Sequence, residues 1–124
     1  MQYPAELRSA AEESAALFAH KELMRAAAVL SDRYREEKGD GSRLVTNDCA
    51  AAAYAVTRMP ASFTAVSSAL VYALMHFDGD IKTMTDIGAG TGAAVFACSE
   101  IIGELDDALC LEREDSMRTL GKKL

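Results

Sequence analysis

Apolar residues recur every three to four positions through the first eighty residues of the chain, which is the spacing of amphipathic helices. The first predicted helix begins at Pro4, because proline suits a first helical position, where its missing N–H would be unpaired. Its apolar positions extend to Leu17 and Phe18. The second begins after His20 and is predicted to end in the glycine-containing run 39–42, which follows a basic last turn.

Two further helices are predicted before residue 80. The third begins between Thr46 and Asp48, where each side chain can cap a helix, and ends at Arg58. Met59 precedes a proline and so avoids the helical region, and Pro60 then opens the fourth helix. The predicted buried side of that helix consists of Phe63, Val66, Leu70, Leu74 and Phe77.

The pattern changes at Ile81. The sequence now predicts, in order, a strand at Lys82–Ile87, a helix at Gly92–Ile102, a strand at Ala108–Glu112, and a last helix capped by Asp115 or Ser116 that stops at Leu124. A helix of this length between two strands predicts a βαβ unit with parallel strands and a right-handed crossover. We therefore predict an α-rich α/β chain, with a four-helix segment over residues 1–80 and an α/β segment over 81–124.

Composition narrows the classes of protein that fit this pattern. The chain has 124 residues, half of them hydrophobic, and a formal net charge of -6. An acidic chain gains nothing from neutralising phosphates, so this segment alone is a poor candidate for binding nucleic acid. Its apolar runs are too short or too interrupted to span a bilayer, and no secretory signal is visible. We expect a cytoplasmic protein that does not enter a membrane.

The cysteines predict neither disulfides nor a metal site. Cys49, Cys98 and Cys110 lie far apart without a C-x-x-C motif, and an odd number at such spacing favours a reducing compartment. His20 and His76 do not complete a recognised zinc spacing. We interpret the three cysteines as buried or half-buried packing residues.

The stretch 83–92 is the strongest functional signal in the sequence. Three glycines at alternate positions follow a predicted strand and open a predicted helix, which is the context of a nucleotide-binding turn. A turn this tight requires positive φ angles, and a ligand can approach a backbone that carries no Cβ. Two acids frame the turn: Asp86 precedes the first glycine, and Glu112 ends the second strand.

This arrangement predicts a site for S-adenosylmethionine. Asp86 is expected to receive the amino group of that cofactor, and Glu112 to accept its ribose hydroxyls. The predicted site residues are Asp86, Gly88, Ala89, Gly90, Gly92 and Glu112. No catalytic residue is predicted, because the remaining polar residues form neither a Ser/His/Asp nor a Cys/His set.

Two other interpretations of the turn stay open. The run from Gly88 to Ala93 also satisfies the relaxed dinucleotide pattern G-x-G-x-x-G/A, although Asp86 would place a negative charge beside a pyrophosphate. The turn could also join strand and helix without any ligand. A P-loop is excluded because no G-K-[ST] follows the glycines.

Several stretches resemble the amino-terminal half of the small-ribosomal-subunit methyltransferase-like proteins, which comprise the mitochondrial ribosome assembly factor and its bacterial relatives. The resemblance extends from Tyr3 to about Lys122, and is most specific at residues 58–63, at the glycine turn and at Glu112 with Arg113. The stretches that carry it are YPAELRSAAEE, LSDRYREEKG, SRLVTNDCAAAAYAVTRMPASFTAV, TDIGAGTGAA and LEREDSM. It implies a class I methyltransferase (Rossmann-like) domain after a helical segment, acting on or near small-subunit ribosomal RNA.

A methyltransferase core of this class normally continues through several more strands. We therefore expect the chain to be an amino-terminal fragment with an incomplete domain, inactive by itself. Because a two-stranded parallel sheet leaves a face and its edges open, we also expect a homo-oligomer. The alternative to a methyltransferase is a non-catalytic assembly or scaffold protein that retains the fold.

Overall fold

The structure is a computed structural model that describes residues 2–36, 43 and 45–124. In the described residues it contains six helices and two strands, in the order α1 (Ala5–Ala15), α2 (His20–Arg35), α3 (Asp48–Thr57), α4 (Met59–Leu74), β1 (Thr83–Ile87), α5 (Ala93–Ile102), β2 (Asp107–Leu111) and α6 (Asp115–Lys123). The predicted order of helices and strands is confirmed. The expectation that Met59 avoids the helical region is wrong: Met59 is the first residue of α4 and Pro60 the second, so the break between α3 and α4 falls at Arg58. The predicted stop at 39–42 lies outside the described residues.

The starts of two helices show how the local sequence sets their bounds. Asn47 caps α3, because its side-chain oxygen accepts a hydrogen bond from the backbone N–H of Ala50 at 2.8 Å. The predicted caps of α6 are wrong: Asp115 and Ser116 lie within its first turn, and Glu114 takes the N-cap position with extended backbone angles. The N–H of Glu114 donates to the carboxylate of Glu112. This hydrogen bond holds the backbone at Glu114, so the helix is capped one residue earlier than predicted.

Two predicted apolar faces extend too far along the chain. The first helix ends at Ala15, which leaves Leu17 80% exposed. In the fourth helix Phe63 is fully buried, but Phe77 lies beyond the helix end and is 51% exposed. The inner position one turn after Phe63 is occupied by Ser67, which is small enough to be buried there. Helical spacing alone does not show where a helix leaves the core.

The two strands form a parallel sheet, as predicted. Asp86 is the register partner of Cys110, and Ile87 that of Leu111. Since side chains alternate along a strand, Ile87, Leu109 and Leu111 share one face, and all three are exposed, Ile87 most of all. Asp86 and Met84 point to the opposite face and are half-buried. The α5 helix connects the strands and contacts β1.

One hydrophobic core joins the helical segment to the α/β segment. Alanines of α3 lie at its centre, where their small side chains let neighbouring helices approach closely. The buried members from both segments include Tyr3, Leu7, Leu30, Ala55, Met59, Phe63, Ala93, Ala97, Met117 and Leu120. The predicted boundary between residues 80 and 81 falls in the connection from α4 to β1, and its division into two domains stays a prediction.

Candidate cofactor site

The glycine turn between β1 and α5 has the backbone conformation that its sequence predicts. Gly88, Gly90 and Gly92 have φ angles of 79°, 58° and 99°. Residues with a Cβ rarely adopt such angles, so the alternate glycines are required by the path of the chain. A Cβ at Gly88 would meet no atom within 4 Å, so the turn is open to a ligand at this position.

The middle of the turn packs against the helices instead. A Cβ on Gly90 would lie 3.3 Å from the Tyr54 hydroxyl and 3.4 Å from Cε of Met117. The next residue, Thr91, is 1% exposed, and its hydroxyl donates to the sulfur of Met59 at 3.1 Å. Residues of α3, α4 and α6 therefore form the wall that supports the turn.

Glu112, the acid predicted to end the second strand, lies one residue beyond β2 and contacts the turn directly. Its Oε1 accepts the backbone N–H of Gly90 at 2.9 Å, and its Oε2 accepts the N–H of Glu114 at 2.8 Å. Arg118 donates to its backbone carbonyl. A carboxylate offers about four acceptor positions, so both oxygens retain capacity for the hydroxyls of a ligand.

Asp86, the acid predicted before the first glycine, lies close enough to Glu112 for their charges to interact. Burial raises the pKa of Asp86, and the negative charge of Glu112 raises it further. Among the described residues no ion pair involves Asp86. The structure thus brings both predicted acids close to the glycine turn, and Arg113 and Arg118 lie beside Glu112.

The cysteines around Asp86 are weak candidates for chemistry. Burial raises the pKa values of the Cys98 and Cys110 thiols, and the charge of Asp86 adds to the effect, so both remain protonated at neutral pH. The interpretation of all three cysteines as buried or half-buried is wrong for Cys110, which lies exposed on β2. The described residues contain no group of three side chains suited to holding a metal ion.

Two hollows border the turn. The larger is an open depression of about 640 Å³ at the carboxyl ends of the strands, lined by Ile87, Gly88, Cys110, Leu111, Glu112, Arg113 and Arg118. The smaller, of about 210 Å³, lies between the turn, α5 and α6. Ligands of open parallel sheets bind beyond the carboxyl ends of the strands, so the larger depression is the candidate site. Of the predicted residues, Gly88 and Glu112 line it, whereas Ala89, Gly90 and Gly92 line the smaller hollow and Asp86 lines neither.

An ion pair that the sequence did not indicate lies next to this site. Arg43 binds the carboxylate of Glu114 through two hydrogen bonds, Nε to Oε1 at 2.7 Å and a terminal nitrogen to Oε2 at 2.6 Å. The Glu114 side chain is 7% exposed, and the hydrogen bond from Arg43 lowers its pKa. Arg43 belongs to no helix or strand and lies far from Glu114 in sequence, so spacing and periodicity do not indicate the pair.

Close approach also explains a glycine that no sequence motif marks. A Cβ on Gly121 of α6 would lie 3.0 Å from the backbone oxygen of Thr91. The absence of a side chain at Gly121 therefore lets α6 pack directly on the turn.

No helix in the described ranges has the length and the apolar character needed to cross a lipid bilayer.

Comparison with known proteins agrees with the resemblance noted in the sequence. A model of the family described as "Mitochondrial small ribosomal subunit Rsm22" matches residues 48–124, from the start of α3 through the glycine turn to the end of α6. No curated protein matches the chain significantly. Because the family match covers more than half of the sequence, the chain belongs to the Rsm22 family of the mitochondrial small ribosomal subunit.

Proposed function

We propose that this chain provides the S-adenosylmethionine-binding part of a methyltransferase that acts on or near the RNA of the small ribosomal subunit. The observation that carries the proposal is the 2.9 Å hydrogen bond between the Gly90 N–H and Glu112, with Asp86 beside it. This hydrogen bond joins the glycine turn to the end of β2, at the carboxyl ends of two parallel strands, where ligands of such sheets bind. The small ribosomal subunit in the family description supports the proposed target.

The residues at the turn fit this cofactor in charge and in shape. Asp86 binds the cationic amino group, which would relieve the repulsion between its charge and that of Glu112. Gly88 lets the ligand approach the backbone, since no Cβ intervenes. Glu112 accepts the ribose hydroxyls through its remaining acceptor positions. When bound, the cofactor supplies a methyl group on a positively charged sulfur.

A dinucleotide fits the same residues less well. Its pyrophosphate would lie beside Asp86, whose pKa is raised by burial and by the charge of Glu112. A second anion would add repulsion at Asp86 and Glu112, and Arg113 and Arg118, which line the depression beyond the strands, would offset part of it. Close to Asp86, the two carboxylates therefore favour a ligand whose charged end is a cation.

Chemical-shift titration tests the proposal even when binding is weak. We expect millimolar S-adenosylmethionine to shift the amide signals of Gly88 and Gly90, and NAD to leave them unchanged. Asp86→Asn is expected to reduce these shifts, whereas Glu100→Gln, an equal loss of charge at an exposed site on α5, serves as the control. Unchanged turn signals at saturating cofactor would refute the cofactor site.

A non-catalytic assembly protein is the second candidate. Both oxygens of Glu112 already accept backbone N–H groups, so this acid has a structural role in addition to any contact with a ligand. A Gly90→Arg variant that still pulls down small-subunit assembly intermediates would favour the scaffold role. Loss of that association, with the fold retained, would favour a role that depends on the cofactor.

Self-association is a further part of the proposed function. Ile87, Leu109 and Leu111 expose an apolar sheet face, and parallel sheets are normally covered on both faces. A second copy of the chain that packs face to face would cover these residues. We expect light scattering to detect a dimer that Leu109→Lys weakens. A monomer at high concentration would contradict this expectation.

A further inference from the structure

Arg43 forms the first link of a continuous chain of contacts that ends at the glycine turn. Its two hydrogen bonds to Glu114, at 2.7 and 2.6 Å, form the planar, bidentate pair that only arginine makes with a carboxylate. Glu114 is also the N-cap residue of α6, so the pair fixes the point where the chain leaves β2 and enters that helix.

The backbone of Glu114, held in place by Arg43, in turn contacts the side chain of Glu112. The N–H of Glu114 donates to Oε2 of Glu112 at 2.8 Å, and Oε1 of the same carboxylate accepts the N–H of Gly90 at 2.9 Å. The two oxygens of the Glu112 carboxylate are thus held by the backbone of Glu114 and by the backbone of Gly90. The orientation of the Glu112 carboxylate therefore depends on the position of the Glu114 backbone.

From this geometry we propose that Arg43 is a positioning residue for the cofactor site, which holds the Glu112 carboxylate and the glycine turn in place by anchoring Glu114. The proposal rests on the proposed function for its ligand, but the contacts with Gly90 can be measured without one. It also assigns a role in the site to the segment before α3, which lies far from the turn in sequence.

The burial of Glu114 makes the anchor necessary. Its side chain is 7% exposed, and an ionised carboxylate that loses its partner at such a site must move towards water or towards another cation. The other cations that act on Glu114 are Arg113, whose Nε lies 3.4 Å from Oε1, and Arg118. Neither forms the two short hydrogen bonds to the Glu114 carboxylate that Arg43 forms.

Amide hydrogen exchange measured by NMR tests whether Arg43 acts on Gly90 through Glu114 and Glu112. We expect Arg43→Gln to accelerate exchange at the Gly90 amide about tenfold, and Arg43→Lys to have a smaller effect, because lysine keeps the charge but not the bidentate geometry. Glu114→Gln breaks the same pair from its other end and should match Arg43→Gln. Arg35→Gln, which removes an exposed pair with Asp32, is the control and should leave Gly90 unchanged.

A purely structural role predicts a different result. If Arg43 only stabilised the fold, exchange in the centre of α3, for example at Ala53, would accelerate as much as exchange at Gly90. Equal acceleration at both amides, or none at Gly90, would overturn the proposal. Acceleration confined to Gly90 and Glu114 supports it.

Titration with S-adenosylmethionine separates the failure of this proposal from that of the proposed function. We expect Arg43→Gln to weaken the affinity of the turn for the cofactor about tenfold, without a loss of secondary structure. If the unaltered protein does not bind the cofactor, the proposed function fails, and hydrogen exchange alone decides the role of Arg43. If both proteins bind equally well, Arg43 does not position Glu112.

Discussion

The positive φ of Gly88 makes Gly88→Ala a sharp test of the turn. Nothing lies within 4 Å of the Cβ position, so the substitution creates no steric overlap. Its cost is the backbone strain of a left-handed conformation, about 1–2 kcal/mol for a residue with a Cβ. In a chain of 124 residues this lowers the melting temperature by roughly 4–8 °C.

Gly90→Ala adds a steric contribution to the same strain. Its φ of 58° is also left-handed, and its Cβ would lie 3.3 Å from the Tyr54 hydroxyl. We expect this contact to add up to about 1 kcal/mol, because the side chains around it must shift. Tyr54→Phe removes the hydroxyl, so the cost of Gly90→Ala should be smaller by about 0.5 kcal/mol in that background.

Thermal unfolding followed by circular dichroism measures both effects, and Gly88→Asn provides the matched control. Asparagine tolerates left-handed angles better than alanine, so Gly88→Asn should cost less than Gly88→Ala. At an ordinary negative φ, Gly→Ala stabilises a protein by restricting its unfolded chain. A Gly88→Ala protein that melts at or above the temperature of the original would therefore refute the positive φ.

Three further predictions concern the acid pair, the core and a helix cap. Because the pKa of Asp86 is raised in the folded state, its ionisation costs stability as pH rises through the folded pKa. Asp86→Asn should thus stabilise the protein at pH 7, and melting curves against pH should show the gain disappearing below the ordinary pKa of aspartate. Phe63→Ala should lower stability by about 3–5 kcal/mol in denaturant titrations and Phe63→Leu by less than half of that; equal losses would contradict close packing. Asn47→Ala should cost about 1 kcal/mol in melting experiments and Asn47→Asp much less; equal losses would argue against the cap.

Features with a local cause were predictable from the sequence. Asn47 marked the start of α3, Pro60 marked the start of α4 to within one residue, and the alternate glycines marked the turn between β1 and α5, because each acts on the backbone next to it. The meeting of Asp86 and Glu112 followed from strand order, since parallel strands end at the same edge.

Features that depend on distant partners were not predictable. The bond between Arg43 and Glu114 joins residues far apart in sequence, and neither belongs to a periodic pattern. The predicted burial of Phe77 was also wrong. Phe77 continues the apolar spacing of α4, but the helix ends before it and the residue is exposed. Periodicity identifies the apolar side of a helix, and only the packing of other elements determines how much of that side is covered.

The shared core changes the role that the helices play in the site. The open end of the turn, at Gly88, is free for a ligand, whereas Gly90 and Thr91 lie against Tyr54 and Met59 of the helical segment. A nucleotide turn in a larger sheet is held by neighbouring strands and their helices. Here α3 and α4 provide that support from before the first strand, and Arg43 fixes the exit of the second. We conclude that residues preceding β1 shape the candidate site, so a chain that began at residue 81 would lose the wall behind the turn and, with it, the geometry between Gly90 and Glu112.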